Sequence, residues 1–98
     1  MIYSISFQEN AESELLEASE YYELRVKGLG AALISEVERA IRLIRKNPES
    51  APKILKTVRR KVLWHFPYSV MYSVSGNSIR ILAIANQKRR PFYWRRRK

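Results

Sequence analysis

The sequence predicts an α+β domain: an N-terminal strand and an antiparallel two-helix hairpin packed on a small antiparallel sheet, with a basic, aromatic C-terminal segment. Three observations predict it. Residues alternate with period two near the start, an apolar helical stripe runs through the middle, and the period-two pattern returns after a proline-punctuated loop. Helical and strand patterns grouped in separate runs place the helices on one face of a sheet. The length, with no internal repeat or linker, fits a single domain over residues 1–98.

Each element has its own signal. Tyr3, Ile5 and Phe7 alternate with Ser4 and Ser6, as in a half-buried strand. Asn10 is a suitable helix cap, and Glu12 and Glu14 favour the positive end of the dipole. Leu15, Ala18 and Tyr22 share one face of this helix, and Gly28 and Gly30 break it after Lys27. A second helix carries the stripe Leu33, Val37, Ala40, Ile41 and Ile44. Arg39, Arg42, Arg45 and Lys46 load its final turns, and Asn47-Pro48 stops it. After Pro48 to Pro52, Val58, Val62, Trp64 and Phe66 alternate with Thr57, Arg59, Lys61 and His65, interrupted by Arg60 and Leu63. Tyr68, Val70, Tyr72 and Val74 alternate with Ser69, Met71 and Ser73, and Ser75-Gly76-Asn77 reads as a hairpin turn. Ile79 to Ala85 is apolar on both faces except at Arg80, as a central strand would be.

Composition narrows the chemistry. The chain has no cysteine, which excludes a disulfide scaffold, a thiolate metal site and a cysteine nucleophile. It has one histidine, His65, and its nine acids are all glutamate, so a Ser-His-Asp triad is excluded and a His/Asp metal site is disfavoured. No apolar run approaches the ~18 residues of a membrane span. The start lacks the basic and apolar regions of a secretory signal, so a cytoplasmic protein without membrane partners is expected.

Charge is segregated. Residues 1–24 carry six glutamates and no lysine or arginine, whereas the remainder holds all 19 basic residues and three acids. Seven of those basic residues lie in Lys88 to Lys98, flanking the aromatic run Phe92-Tyr93-Trp94. Such a cluster suits a polyanionic or acidic partner through charge attraction and flat apolar contact. The segment is either a frayed basic tail or docks in part on the fold with its arginines exposed. Three consecutive aromatics argue for docking.

In order, the chain presents Glu17-Ala18, Tyr21-Tyr22, Gly28-Leu29-Gly30, Glu36, Ala40, Ile44, Asn47-Pro48, Arg59-Arg60, Phe66-Pro67-Tyr68, Tyr72, Arg89-Arg90-Pro91, Tyr93-Trp94 and Arg97. Each piece is weak alone, but the ordered set resembles the RelE/ParE toxin superfamily, its ParE branch most closely, over essentially the whole chain. The resemblance implies a small antiparallel sheet on a helix hairpin. It also implies a toxin of a type II toxin–antitoxin (plasmid stabilisation) module, neutralised by a small ParD-like antitoxin with an acidic or amphipathic segment. ParE-like members poison DNA gyrase, whereas RelE-like members cut mRNA on the ribosome. No cofactor, metal or small-molecule substrate is implied.

Metal-free RNA cleavage needs a base, a cation near the phosphate and an acid for the leaving oxygen. Arg60, Lys61, Arg80, Lys88, Arg89 and Tyr93 are the candidates. The RelE-like branch places an arginine after the tyrosine matching Tyr68, but this chain has Ser69, which offers no charged fork. One of that branch's two basic positions on the preceding strand falls on Arg60 and the other on apolar Val62. Where many ParE-like sequences carry a histidine, this chain has Asn86-Gln87. The expectation is therefore inhibition by binding, with no catalytic residue. Arg89, Arg90, Tyr93, Trp94, Arg95, Arg96 and Arg97 would form the contact with gyrase, alone or with cleaved DNA, and Arg59, Arg60 and Lys61 a second patch. Trp94 and Tyr93 would be its desolvated anchors. His65 has no carboxylate near it in sequence and reads as structural, as do Tyr68 and Tyr72 on one strand face.

Overall fold

The computed structural model describes residues 2–97; Met1 and Lys98, the last basic residue of the C-terminal cluster, lie outside it. The elements run β1 (Ser4–Phe7), α1 (Glu9–Arg25), α2 (Leu29–Lys46), β2 (Lys53–Leu55), β3 (Val58–Val62), β4 (Tyr68–Ser75) and β5 (Ser78–Asn86). They form one five-stranded sheet in the order β1-β5-β4-β3-β2. The sheet is antiparallel except at one edge, where β1 pairs parallel to β5.

Helix ends depart from expectation in instructive ways. Gln8, rather than Asn10, caps α1, its side-chain oxygen accepting the Asn10 amide at 2.8 Å. The chain turns at Gly28, which sits at φ 90°, where a side chain would be strained. Gly28 cannot cap α2 with a side chain, so Glu23 reaches forward and accepts the amides of Gly28 and Gly30 at 2.8 and 2.9 Å. The Gly28 amide is the main reason its carboxyl sits below the ordinary range, and with the Gly30 amide it outweighs an opposing desolvation. Gly30 does not break a helix. It lies in the first turn of α2 where the two helices touch, and a Cβ there would collide with the Ser19 carbonyl oxygen.

Helices and sheet share one core. The α2 stripe buries Leu33, Val37, Ala40 and Ile44 against Val70, Tyr72, Ile79, Ile81 and Ile84. Each fully buried aliphatic side chain here contributes about 1.5–3 kcal/mol. The Tyr72 hydroxyl donates to the Pro48 carbonyl at 2.6 Å, tying the loop after α2 to the sheet.

A bulge decides which side of β5 faces where. Tyr72 pairs with Ile81 but Met71 pairs with Ala83, so Leu82 is an extra residue. It switches the parity of β5: Ile79, Ile81 and Ile84 face the helices, while Ala83 and Ala85 face away with Met71. Trp94 covers that second face with Ile54, Leu55, Val58 and Tyr93 around it. The C-terminal segment is therefore a strap across the sheet, the docked alternative, with Trp94 only 3% exposed.

β3 ends at Val62, short of the expected run to Phe66. Leu63 and Phe66 are buried, but Trp64 is 91% exposed and His65 points to solvent.

Candidate functional site: the strapped face of the sheet

β1 stops at Phe7, so the outer edge of β5 beyond Ile81 has no neighbouring strand. Two side chains take its place. Arg97 Nη1 donates to the Leu82 carbonyl at 3.1 Å, and Glu14 Oε1 accepts the Ile84 amide at 3.1 Å. The two side chains also pair with each other: Arg97 Nη1 lies 2.8 Å from Oε1 and Nη2 3.1 Å from Oε2, a bidentate fork. The Tyr93 hydroxyl donates to Oε2 at 2.6 Å, and Arg89 Nη1 stands 3.7 Å from the same oxygen. The Arg89 and Arg97 guanidinium carbons lie 3.8 and 5.2 Å from the Tyr93 ring centroid. Glu14 thus fastens the strap to α1 and to the sheet edge.

The environment fixes the state of Tyr93. Burial, then the Glu14 hydrogen bond and its negative charge, push the phenol far above its ordinary pKa, and Arg89 and Arg97 offset only part of this. Tyr93 is thus held as a neutral hydrogen-bond donor to Glu14.

The charged run on β3 divides between the two faces of the sheet. Arg59 pairs with Tyr72 on the helix side, and its Nη1 donates to the carbonyls of Glu49 and Ala51 at 3.0 and 2.6 Å. Lys61, half-buried beside α2, faces the same way. Arg60, across from Met71, faces the strap. Arg59, Arg60 and Lys61 therefore form no single patch, because alternation along a strand sends neighbours to opposite faces. Arg80 sits at the Ser73 rung, and its Nη1 donates to the Phe7 carbonyl at 3.1 Å. Lys88 lies by the α1 side of the strap, near Glu14 and Glu17. The nuclease candidates Arg60, Lys61, Arg80, Lys88, Arg89 and Tyr93 are thus spread over both faces and a sheet edge.

Among the expected contact residues, Arg90, Arg95 and Arg96 are exposed on the strap, and Arg89 is partly so. Arg97 is clamped, and Trp94 is spent on this chain's own core rather than offered to a partner. Arg60, Arg89 and Arg90 line a cleft on the helix-free face, while Arg95 and Arg96 lie with Arg90 to Tyr93 on the strap itself. Among the described residues, no three acid, histidine or cysteine side chains converge as metal ligands would. No helix of the described residues is long and apolar enough to cross a membrane.

The family model for the ParE toxin of the type II toxin–antitoxin system, parDE, matches residues 5–91. The chain belongs to the ParE toxin family. Its fold is similar to that of a solved chain described as "Chromosomal ParDE TA system from P. aeruginosa", at TM-score 0.76 and 18% identity, covering 87% of this chain and 96% of that one. Comparison with curated proteins gives no match. The ParE-family match ends at Pro91, so Arg89 and Arg90 fall inside it while Phe92 to Arg97 lie beyond.

Sequence reasoning missed two residues of this face, Glu14 and Phe92. Glu14 had a readable signal. It interrupts the stripe Ala11, Leu15, Ala18 and Tyr22 at helical spacing, and an acid set among core positions needs a charged partner. It also missed a carboxylate for His65. Glu36 of α2 lies 2.8 Å from His65 Nδ1 and accepts the backbone amides of Trp64 and His65. Partial burial opposes ionisation of Glu36, but the His65 amide, the His65 ring and the Trp64 amide outweigh it and hold the carboxyl below the usual range.

Proposed function

We propose that this ParE-family chain is a cytoplasmic toxin of a plasmid-stabilisation module that inhibits DNA gyrase by binding, without making or breaking a covalent bond. A ParD-like antitoxin with an acidic segment neutralises it, a partner suited to a chain of net charge +10. One observation carries the reading. Arg60, Arg90, Arg95 and Arg96 are displayed outward around a strap whose phenol and last guanidinium are consumed by Glu14. The arrangement supplies a rigid cationic surface and withholds the tyrosine that a nuclease would need.

The test compares gyrase supercoiling and cleavage with mRNA integrity in a translating extract mapped by primer extension. Loss of supercoiling with intact message is expected, and codon-linked cuts with normal supercoiling would overturn the proposal. Deleting Lys88 to Lys98 would abolish toxicity, but it would also uncover Met71, Ala83 and Ala85. Charge reversal at Arg90, Arg95 and Arg96 is the cleaner variant. It keeps the buried Trp94 and should abolish gyrase inhibition.

A further inference from the structure

Between the strap and the helix-free face of the sheet lies a cleft of ≈ 280 Å³. Met71, Ala85 and Ile54 give it an apolar lining, and Arg60, Arg90 and Phe92 stand at its rim. Arg60 and Arg90 are exposed, and neither forms a salt bridge among the described residues. Their charge is therefore available to an incoming anion.

Phe92 supplies a second observation. Among the described residues it is one of two non-glycine residues at positive φ, at 60°, a backbone conformation that is costly for an aromatic residue. The turn it makes leaves Phe92 38% exposed while Trp94, two residues on, is buried. The two rings meet edge to face at 5.8 Å, which steadies the exposed one. Strain that keeps an apolar ring at the mouth of a cationic cleft points to a ligand with both a flat face and negative charge.

We propose that this cleft binds single-stranded nucleic acid, one unpaired base stacking on Phe92 while the flanking phosphates lie on Arg60 and Arg90. In a duplex the base faces are stacked on one another and cannot reach the ring, whereas an unpaired base is free to do so. An acidic peptide satisfies the guanidiniums but offers the ring no regular flat partner. The proposal shares Arg60 and Arg90 with the surface proposed for gyrase but adds Phe92, and binding by the isolated chain is measured without gyrase. Phe92 lies just beyond the family match at residues 5–91.

Fluorescence anisotropy of the full chain tests it, with labelled oligothymidylate, oligouridylate, a duplex of equal phosphate number and polyglutamate as probes. Single strands of either sugar should bind, with the duplex about tenfold weaker at the same salt. Phe92→Ala should lose about tenfold or more and Phe92→Tyr should retain binding, as expected of a stacked base. Arg60→Ala and Arg90→Ala should each flatten the slope of log affinity against log salt by about 0.7, the value for one phosphate on a single strand. Unchanged Trp94 emission in a Trp64→Phe background shows that each variant keeps the strap docked. Equal binding of duplex with no effect of Phe92→Ala would reduce the site to plain charge attraction and overturn the proposal. Tighter binding of polyglutamate, or no binding of single strands, would overturn it as well.

Discussion

Removing the Glu14 carboxylate should loosen the whole strap, and the structure sets the size of the effect. Glu14→Ala leaves the Ile84 amide, the Tyr93 hydroxyl and the Arg97 guanidinium without their acceptor. Breaking a buried ion pair from one side costs about 3–5 kcal/mol. The side chains of Glu14 and Arg97 are 14% and 16% exposed, so water recovers part of that loss. We expect about 3 kcal/mol, which for a domain of this size lowers Tm by about 12–24 °C. Glu14→Gln keeps an acceptor for the Ile84 amide and loses the charge, so it should cost about 1–2 kcal/mol. Thermal denaturation followed by circular dichroism measures both. A double-mutant cycle with Arg97→Ala should return a coupling of at least about 1 kcal/mol. Trp94 emission in a Trp64→Phe background should shift to the red in Glu14→Ala, because the strap no longer shields it. A Glu14→Ala melt within about 3 °C of the parent, with coupling under about 0.5 kcal/mol, would show Glu14 to be an ordinary surface acid.

Three further outcomes follow from the same geometry. Gly30→Ala should destabilise by about 1–3 kcal/mol in urea titration, because the collision with the Ser19 carbonyl outweighs the helix-propensity gain of about 1 kcal/mol; a more stable variant would refute the close helix contact. The folded-state pKa of Tyr93 is raised above 10.0, so its contribution is intact below about pH 10 and is lost as pH rises past it, when the unfolded chain releases the proton and the folded chain does not. Tyr93→Phe should therefore flatten the alkaline fall in urea midpoint, with Tyr22 and Tyr72, also raised, supplying the remainder. Glu36 is depressed below 4.5, so its contribution is present above that value and is lost as pH falls through the folded-state pKa; Glu36→Gln should flatten the acid limb, and an unchanged limb would refute the Glu36–His65 linkage.

What the sequence revealed and what it concealed divides along a physical line. The α2 stripe, the β4 alternation and the hairpin turn read at Ser75-Gly76-Asn77 were legible because one short period or one cluster of turn residues signals each, although Ser75 itself pairs with Ser78 and closes β4. β2 was not, since three residues carry too little period to recognise. The parallel pairing of β1 with β5 joins positions more than 70 residues apart and leaves no local trace. The Leu82 bulge was hidden because β5 is apolar on both faces, so a change of parity alters no pattern. The candidate site shows the same division. The concentration of positive charge at the C-terminal end was visible from composition, but which of its arginines stay exposed was not. That depends on Glu14, which lies 83 residues from Arg97 and differs from the other glutamates of α1 only by falling within an apolar stripe. A charge cluster read from sequence is thus an upper bound on the charge a partner meets. Here one internal carboxylate takes Arg97 outright and draws on Arg89, so the guanidiniums left exposed are chiefly those of Arg60, Arg90, Arg95 and Arg96.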